Sequence, residues 1–136
     1  SQILNDGDLI KSNTEILIIN SFGVISKYFN YCNNILVGKS FIKKLENISG
    51  QNPIEAAKLG CKIFHGPYVY NFQEIYEHLS SFGVAEKVNN ELELAQKIII
   101  NFEGSAIRNP KTVNLLNIYG EKILKETAKE LHAYLK

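Results

Sequence analysis

Methionine and tryptophan are missing altogether from this 136-residue chain, cysteine occurs twice and proline three times. With no initiating methionine, a chain that begins Ser1-Gln2-Ile3 is expected to be a piece of a longer protein. Cys32 and Cys61 are too few and too far apart for a disulfide framework or a four-ligand zinc site, which suits a reducing compartment and core positions for both. Excess charge of one sign is also lacking: 15 basic against 14 acidic residues leave +1, spread along the chain, so no electrostatic footprint points to nucleic acid. No apolar run approaches the roughly 18 residues of a membrane span, and no signal peptide, repeat or low-complexity segment is visible. What is present is 45% hydrophobic and 21% charged, enough for one globular core but not two, so residues 1–136 are expected to form a single domain.

The apolar residues then alternate between two periods. Glu15-Ile16-Leu17-Ile18-Ile19, Asn34-Ile35-Leu36-Val37, Lys62-Ile63-Phe64-His65 and Val84-Ala85-Glu86-Lys87-Val88 are short runs of strand character, the first expected to be buried on both faces. Between and after them come helical stripes: Ile25, Tyr28, Phe29 and Cys32; Phe72, Ile75, Tyr76 and Leu79; Leu92, Ala95, Ile99 and Phe102. Asn109-Pro110 opens closing helices over about 107–136, whose stripe runs through Leu124, Ala128, Leu131 and Leu135, with Gly120 expected to kink or split them. Strands alternating with helices predict an α/β chain with a Rossmann-like, doubly wound parallel sheet.

Ligands of such sheets sit beyond the carboxyl ends of the strands. The loops there are Asn20-Ser21-Phe22-Gly23, an exposed stretch from Gly38 to Asn52, and Gly66 to Asn71. The middle one holds Ser49-Gly50-Gln51-Asn52-Pro53-Ile54-Glu55, a glycine turn opening a short helix, with Asn52 as cap and Pro53 at its start. Asn52 and Glu55 share a face, which suits either an ordinary cap with a first-turn acid, or a phosphate with its ribose near Glu55.

The wider pattern is more specific. Val37-Gly38-Lys39-Ser40, then Gly50 through Gly60, then Phe64-His65-Gly66-Pro67, then Asn71-Phe72-Gln73-Glu74-Ile75 and Leu79, with Gly83 and Ala85 after, closely resembles the C-terminal half of the 3-deoxy-D-manno-octulosonic acid (Kdo) transferases. The resemblance covers roughly residues 15 to 103. It implies part of the C-terminal, donor-binding domain of a GT-B glycosyltransferase, which moves Kdo from CMP-Kdo to the lipid A precursor in lipopolysaccharide synthesis. No metal and no cofactor beyond the donor substrate is implied. By matching positions, Asn52 and Glu55 fall on the family's nucleotide-contacting pair, Gly50 allows close approach to the phosphate, Gly38 and Ser40 face the donor, and Gly23 is the residue of Asn20-Ser21-Phe22-Gly23 that carries over from a family segment usually reading Asp-Thr-Met-Gly. Gln51, Ser21, Lys39 and Asn71 neighbour these positions. The chain departs from the family's pattern at Gln51, where His is usual, at Lys39, where a second Gly is usual, and at Ala56, where Pro is usual. Gln51 cannot titrate near neutrality, so it takes no proton-transfer role.

The catalytic carboxylate and the lipid-binding surface would lie in the family's N-terminal domain. No catalytic residue is therefore expected here, the chain alone should be inactive, and the whole protein should work at the cytoplasmic face of the bacterial inner membrane. Two other classes remain open: a GT-B enzyme with a UDP-sugar donor, and a non-catalytic doubly wound binding module. Single residues keep two readings as well. Lys39, Lys43 and Lys44 are either solvated or near donor charge; Asn71 caps a helix or touches ligand; His65 is structural or a ligand contact; Tyr68 and Tyr70 flank a cleft or cover the sheet. His78 and His132 are expected at the surface.

Overall fold

The computed structural model describes residues 1–21, 23–48, 50–103 and 110–134. Phe22, Ser49, Asn109 and Leu135, named above, lie outside them. Five strands and five helices follow in the order β1 (Gln2–Leu4), β2 (Leu17–Ile19), α1 (Ile25–Phe29), β3 (Asn34–Val37), α2 (Ile54–Lys58), β4 (Lys62–His65), α3 (Gln73–Ser81), β5 (Ala85–Lys87), α4 (Glu91–Glu103) and α5 (Pro110–Tyr134).

The chain is α/β with parallel pairing throughout the described strands, as expected, but the strands make two sheets rather than one. β1 pairs with β2, and β3-β4-β5 form a three-stranded sheet with β4 in the middle. β1 escapes a reading by period because it is a three-residue stub. Its register is held instead by the Gln2 side chain, which donates to the Leu9 carbonyl and accepts from the Lys11 N–H and the Thr14 hydroxyl. β2 is not buried on both faces: Ile16 and Ile18 are more than half exposed.

The core gathers around β4. Ile63 and Phe64 are fully buried between β3 and β5, and Ala56, Ala57, Cys61, Tyr76, Leu79 and Ala85 close over that layer. A central parallel strand is covered on both faces, which is why β4 is a continuous apolar run while α2 meets it with alanines. Cys61 lies in this core as expected, whereas Cys32 is half-buried at the end of the α1 region.

Three stripes turn out to be phased differently from the expectation. On α1 only Phe29 packs against the core, and Ile25 is exposed. On α4 the half-buried positions are Glu93, Leu94, Lys97, Ile98 and Asn101, while Leu92, Ile99 and Phe102 face out. The apolar residues at 94, 95, 98, 99 and 100 permit two phases, and polar ties select one: Lys97 bridges to Glu86 on β5, and the Asn101 amide donates to the Asn34 side chain on β3. α5 runs unbroken through Gly120, and its expected stripe fails, since Leu124 and Leu131 are 70% and 59% exposed. Leu116 and Tyr119 make its contacts instead.

The stretch after β3 is not a plain exposed loop but two tight turns, 38–41 and 43–48, with Ser40 fully buried. The Ser40 hydroxyl donates to the Val37 carbonyl and accepts the Gly66 N–H at 2.7 Å, while the Ser40 carbonyl accepts the Tyr68 N–H at 2.9 Å. Residues 26 positions apart thereby clamp the ends of β3 and β4 together. A Cβ on Gly66 would stand 2.5 Å from the Ser40 carbonyl oxygen and 2.8 Å from its carbon, both backbone atoms that cannot swing aside. Gly66→Ala is therefore expected to destabilise the fold by about 1–3 kcal/mol. Gly38→Ala, whose Cβ would meet nothing within 4 Å, should change stability by less than about 0.5 kcal/mol. Urea denaturation of the two variants side by side checks the contrast.

Candidate functional site

Three loops meet at the carboxyl ends of β3 and β4: the turn after Val37, the segment from Gly50 to Asn52, and the segment from Gly66 to Asn71. Gly50 joins them through a left-handed backbone, φ +94°, and close packing. A Cβ there would lie 3.2 Å from the Val69 Cα and 3.3 Å from the Phe72 ring, so this buried glycine is required by both conformation and space. The Gln51 carbonyl accepts the Tyr76 hydroxyl at 3.0 Å, which ties the same segment to α3.

The expected site residues divide by what holds them. Asn52 is not the cap of α2: Pro53 takes that position without a side-chain cap bond, the helix starts one residue later than expected because the Pro53 carbonyl takes the first helical bond from Ala57, and the Asn52 side-chain oxygen accepts the Ile54 N–H at 3.0 Å in a local turn before it. Glu55 stands exposed in the first turn of α2, Gly38 is exposed with open space beside it, and Lys39 is half-buried. Ser40 is the structural clamp already described. Asn71 does not cap α3: it sits within a tight turn, 70–72, and the α3 start has no side-chain cap. Ser21 and Gly23 belong to the other sheet, where the Ser21 hydroxyl reaches the Asp6 carboxylate and the Asn20 amide reaches Asn5, both just past β1.

Beside these loops opens a cleft of about 600 Å³, at the carboxyl ends of β4 and β5. His65, Tyr76 and Lys87 form part of it, together with Glu46, Tyr68 and Glu77; Gly50, Asn52 and Glu55 do not line it. His65 and Lys87 end their strands in direct register. The His65 ring is buried against Tyr76, centroids 4.5 Å apart, and its Nδ1 lies 2.7 Å from the Gly66 carbonyl. A carbonyl can only accept, so Nδ1 carries the hydrogen and Nε2 keeps its lone pair. Burial pushes the His65 pKa below the usual imidazole value; the bond to Gly66 opposes this, and the Lys87 charge adds to it. Burial pushes the Tyr76 phenol up to about 12, so it stays a donor to Gln51. The cleft thus offers a neutral imidazole, aromatic surface, one ammonium and carboxylates, a set suited to hydrogen-bonding a polar ligand.

His65 was legible as a strand-end residue, but Lys87, Tyr76 and Glu46 were not singled out. Tyr76 had a signal, being the one hydroxyl-bearing residue on a buried stripe. Lys87 had none, because its position beside His65 follows from strand register. His78, expected at the surface, is instead wedged between α3 and α5, stacked 3.7 Å from the Tyr119 ring.

Two outcomes follow from this geometry. An imidazole with a lowered folded-state pKa binds fewer protons folded than unfolded, so its contribution is complete above the usual value of about 6.5 and is lost as pH falls from there toward the lowered folded value. Denaturation midpoints should therefore drop across that window, and His65→Phe should flatten the drop. Tyr76→Phe keeps the ring but leaves the Gln51 carbonyl without its donor, an expected loss of about 1 kcal/mol by urea denaturation.

No protein-family model matches this chain, and the meaning of the site rests on its own residues and geometry.

Proposed function

We propose that the chain is the donor-binding part of a Kdo transferase, holding CMP-Kdo while Kdo moves to the lipid A precursor, lipid IVA. One observation carries this reading. The segments whose order and spacing resemble the family, Gly38–Ser40, Gly50–Glu55 and Gly66–Asn71, are fastened into one cluster at the carboxyl ends of neighbouring parallel strands, where α/β sheets take their ligands.

In this proposal the open side of Gly38 lets the donor approach the backbone, Glu55 accepts ribose hydroxyl hydrogens, and Asn52 contributes the side-chain amide that its bond to the Ile54 N–H leaves free. Gly50 and Ser40 shape the site without touching the donor through a free polar group. A carboxylate outside this chain would deprotonate the acceptor hydroxyl as that oxygen attacks the Kdo anomeric carbon and CMP departs with the bonding pair, inverting the centre. Among the described residues no helix is long and apolar enough to cross a membrane; attachment to the cytoplasmic face of the inner membrane would come through the N-terminal half. The second reading is a non-catalytic binding module, favoured by the local turn bond at Asn52 and the full engagement of the Ser40 hydroxyl, both of which serve the fold.

Titrating the isotope-labelled chain with CMP and with UDP separates these. CMP is expected to move the amides of Gly38, Asn52 and Glu55, and Glu55→Ala should weaken it about tenfold, the worth of one charge-assisted hydrogen bond. Equal response to UDP would assign a uridine donor, and no response to either would favour the binding module. Transfer of Kdo by the purified chain would overturn the division of labour proposed here.

A further inference from the structure

The cleft at the carboxyl ends of β4 and β5 holds a nitrogen that the fold does not use. His65 is only 5% exposed, and its Nδ1 is taken by the Gly66 carbonyl at 2.7 Å. Nε2 has no protein partner among the described residues, yet it is not walled in. The enclosed, unpaired side-chain nitrogens among those residues belong to Asn34 and His78, whereas His65 lines the open cleft. With Nδ1 carrying the hydrogen, Nε2 can only accept.

Beside it stands the opposite requirement. Lys87 is the register partner of His65; strands of a ladder lie about 4.8 Å apart, and in-register residues of parallel strands point to the same face. Lys87 is exposed on the same cleft, and its ammonium takes part in none of the hydrogen bonds or ion pairs among the described residues. An ammonium can only donate. A ligand group that serves both residues must therefore donate to Nε2 and accept from Lys87. A carboxylate or phosphate brings no hydrogen for Nε2, and a cationic amine brings no lone pair for Lys87; a hydroxyl brings both.

The rest of the wall indicates what carries that hydroxyl. Glu46 and Glu77 set two negative charges against the one positive charge of Lys87, so the rim does not favour an anion. Glu77 gives Oε1 to the Gln73 amide at 2.9 Å and keeps Oε2, a further acceptor that calls for a further hydroxyl. Tyr70 stands on the rim 68% exposed, its side chain without hydrogen bond or ring partner among the described residues, and so offers a flat apolar surface.

We propose that this cleft binds a neutral hexopyranose, with a hydroxyl between His65 Nε2 and the Lys87 ammonium and the C–H face of the sugar ring on Tyr70. A volume of about 600 Å³ lies within the range of small-molecule sites. The proposal stands apart from nucleotide binding: Gly38, Asn52 and Glu55 do not line the cleft, and failure of either reading leaves the other standing.

NMR titrations of the intact, isotope-labelled chain with methyl β-D-glucopyranoside, methyl β-D-glucuronide and tetramethylammonium test it. The glucoside should shift the His65 and Tyr70 ring signals to saturation, with a dissociation constant in the millimolar range. The glucuronide, the same ring with a carboxylate, should bind more weakly, and tetramethylammonium should not saturate. Tyr70→Ala, at an exposed position, and His65→Phe, which keeps a ring against Tyr76, should each weaken the glucoside about fivefold, the worth of one ring contact or one hydrogen bond. Lys87→Met, at the exposed end of β5, should also weaken it and serves if the His65 variant fails to fold. Tighter binding of cellobiose than of the glucoside would assign the end of a glycan chain and equal binding a free sugar, and either upholds the site. No saturation by the glucoside, tighter binding of the glucuronide or of tetramethylammonium, or unchanged affinity in the variants would each overturn the proposal.

Discussion

A single hydroxyl, that of Ser40, decides where the loops of this protein can go. It satisfies the Val37 carbonyl at the end of β3 and the Gly66 N–H just past β4, so two crossover connections are locked together where their strands run out. Both strand ends are in a parallel ladder, whose slanted bonds leave such terminal groups without partners. Were the hydroxyl absent, the Gly66 N–H would be buried unpaired, and the turn carrying Pro67, Tyr68 and Val69 would keep only the backbone bond from the Tyr68 N–H to the Ser40 carbonyl. Gly50 then packs on Val69 and Phe72, so the glycine turn before α2 inherits its position from the same lock.

Around this lock the chemistry separates into layers. His65 and Tyr76 stand behind the loops, their rings in tilted contact, neutral and buried, whereas Lys87, Glu46 and Glu77 face solvent around them. The order matters for function, because a ligand entering the cleft meets exposed charged side chains first and a buried pair of rings afterwards. The half-buried ion-pair group elsewhere does less: Lys62 and Lys97 lower the Glu86 pKa, chiefly through the hydrogen bond from Lys97, and the group orients α4 against β5 more than it stabilises the whole.

Strand positions were legible where the apolar run was short, β-branched and bounded by glycine or asparagine, as at Asn34–Val37 and Lys62–His65. The glycine turn and helix start at 50–55 were legible for the same local reason. Helix phase was not, wherever apolar residues crowded both faces: α4 was set by Lys97 and Asn101 reaching other strands, a choice made by partners distant in sequence. The sheet count also escaped local reasoning, since pairing of Gln2–Leu4 with Leu17–Ile19 depends on a glutamine side chain bridging the intervening loop. Of the candidate site, the loops were foreseen and the cleft was not, because its walls come from register between β4 and β5 and from one buried tyrosine. Glu55 lies in the first turn of α2, while Asn52 precedes the cap residue Pro53 and accepts the Ile54 N–H.

The bond from Tyr76 to residue 51 ends on a main-chain carbonyl, and the Gln51 side chain itself is exposed. Any residue able to adopt that backbone conformation preserves the connection between α3 and the glycine turn. Side-chain identity at 51 is thereby uncoupled from folding: a histidine, a glutamine or a lysine can be exchanged there as an interchangeable tool, altering what the turn presents to a ligand while the scaffold beneath it stays the same.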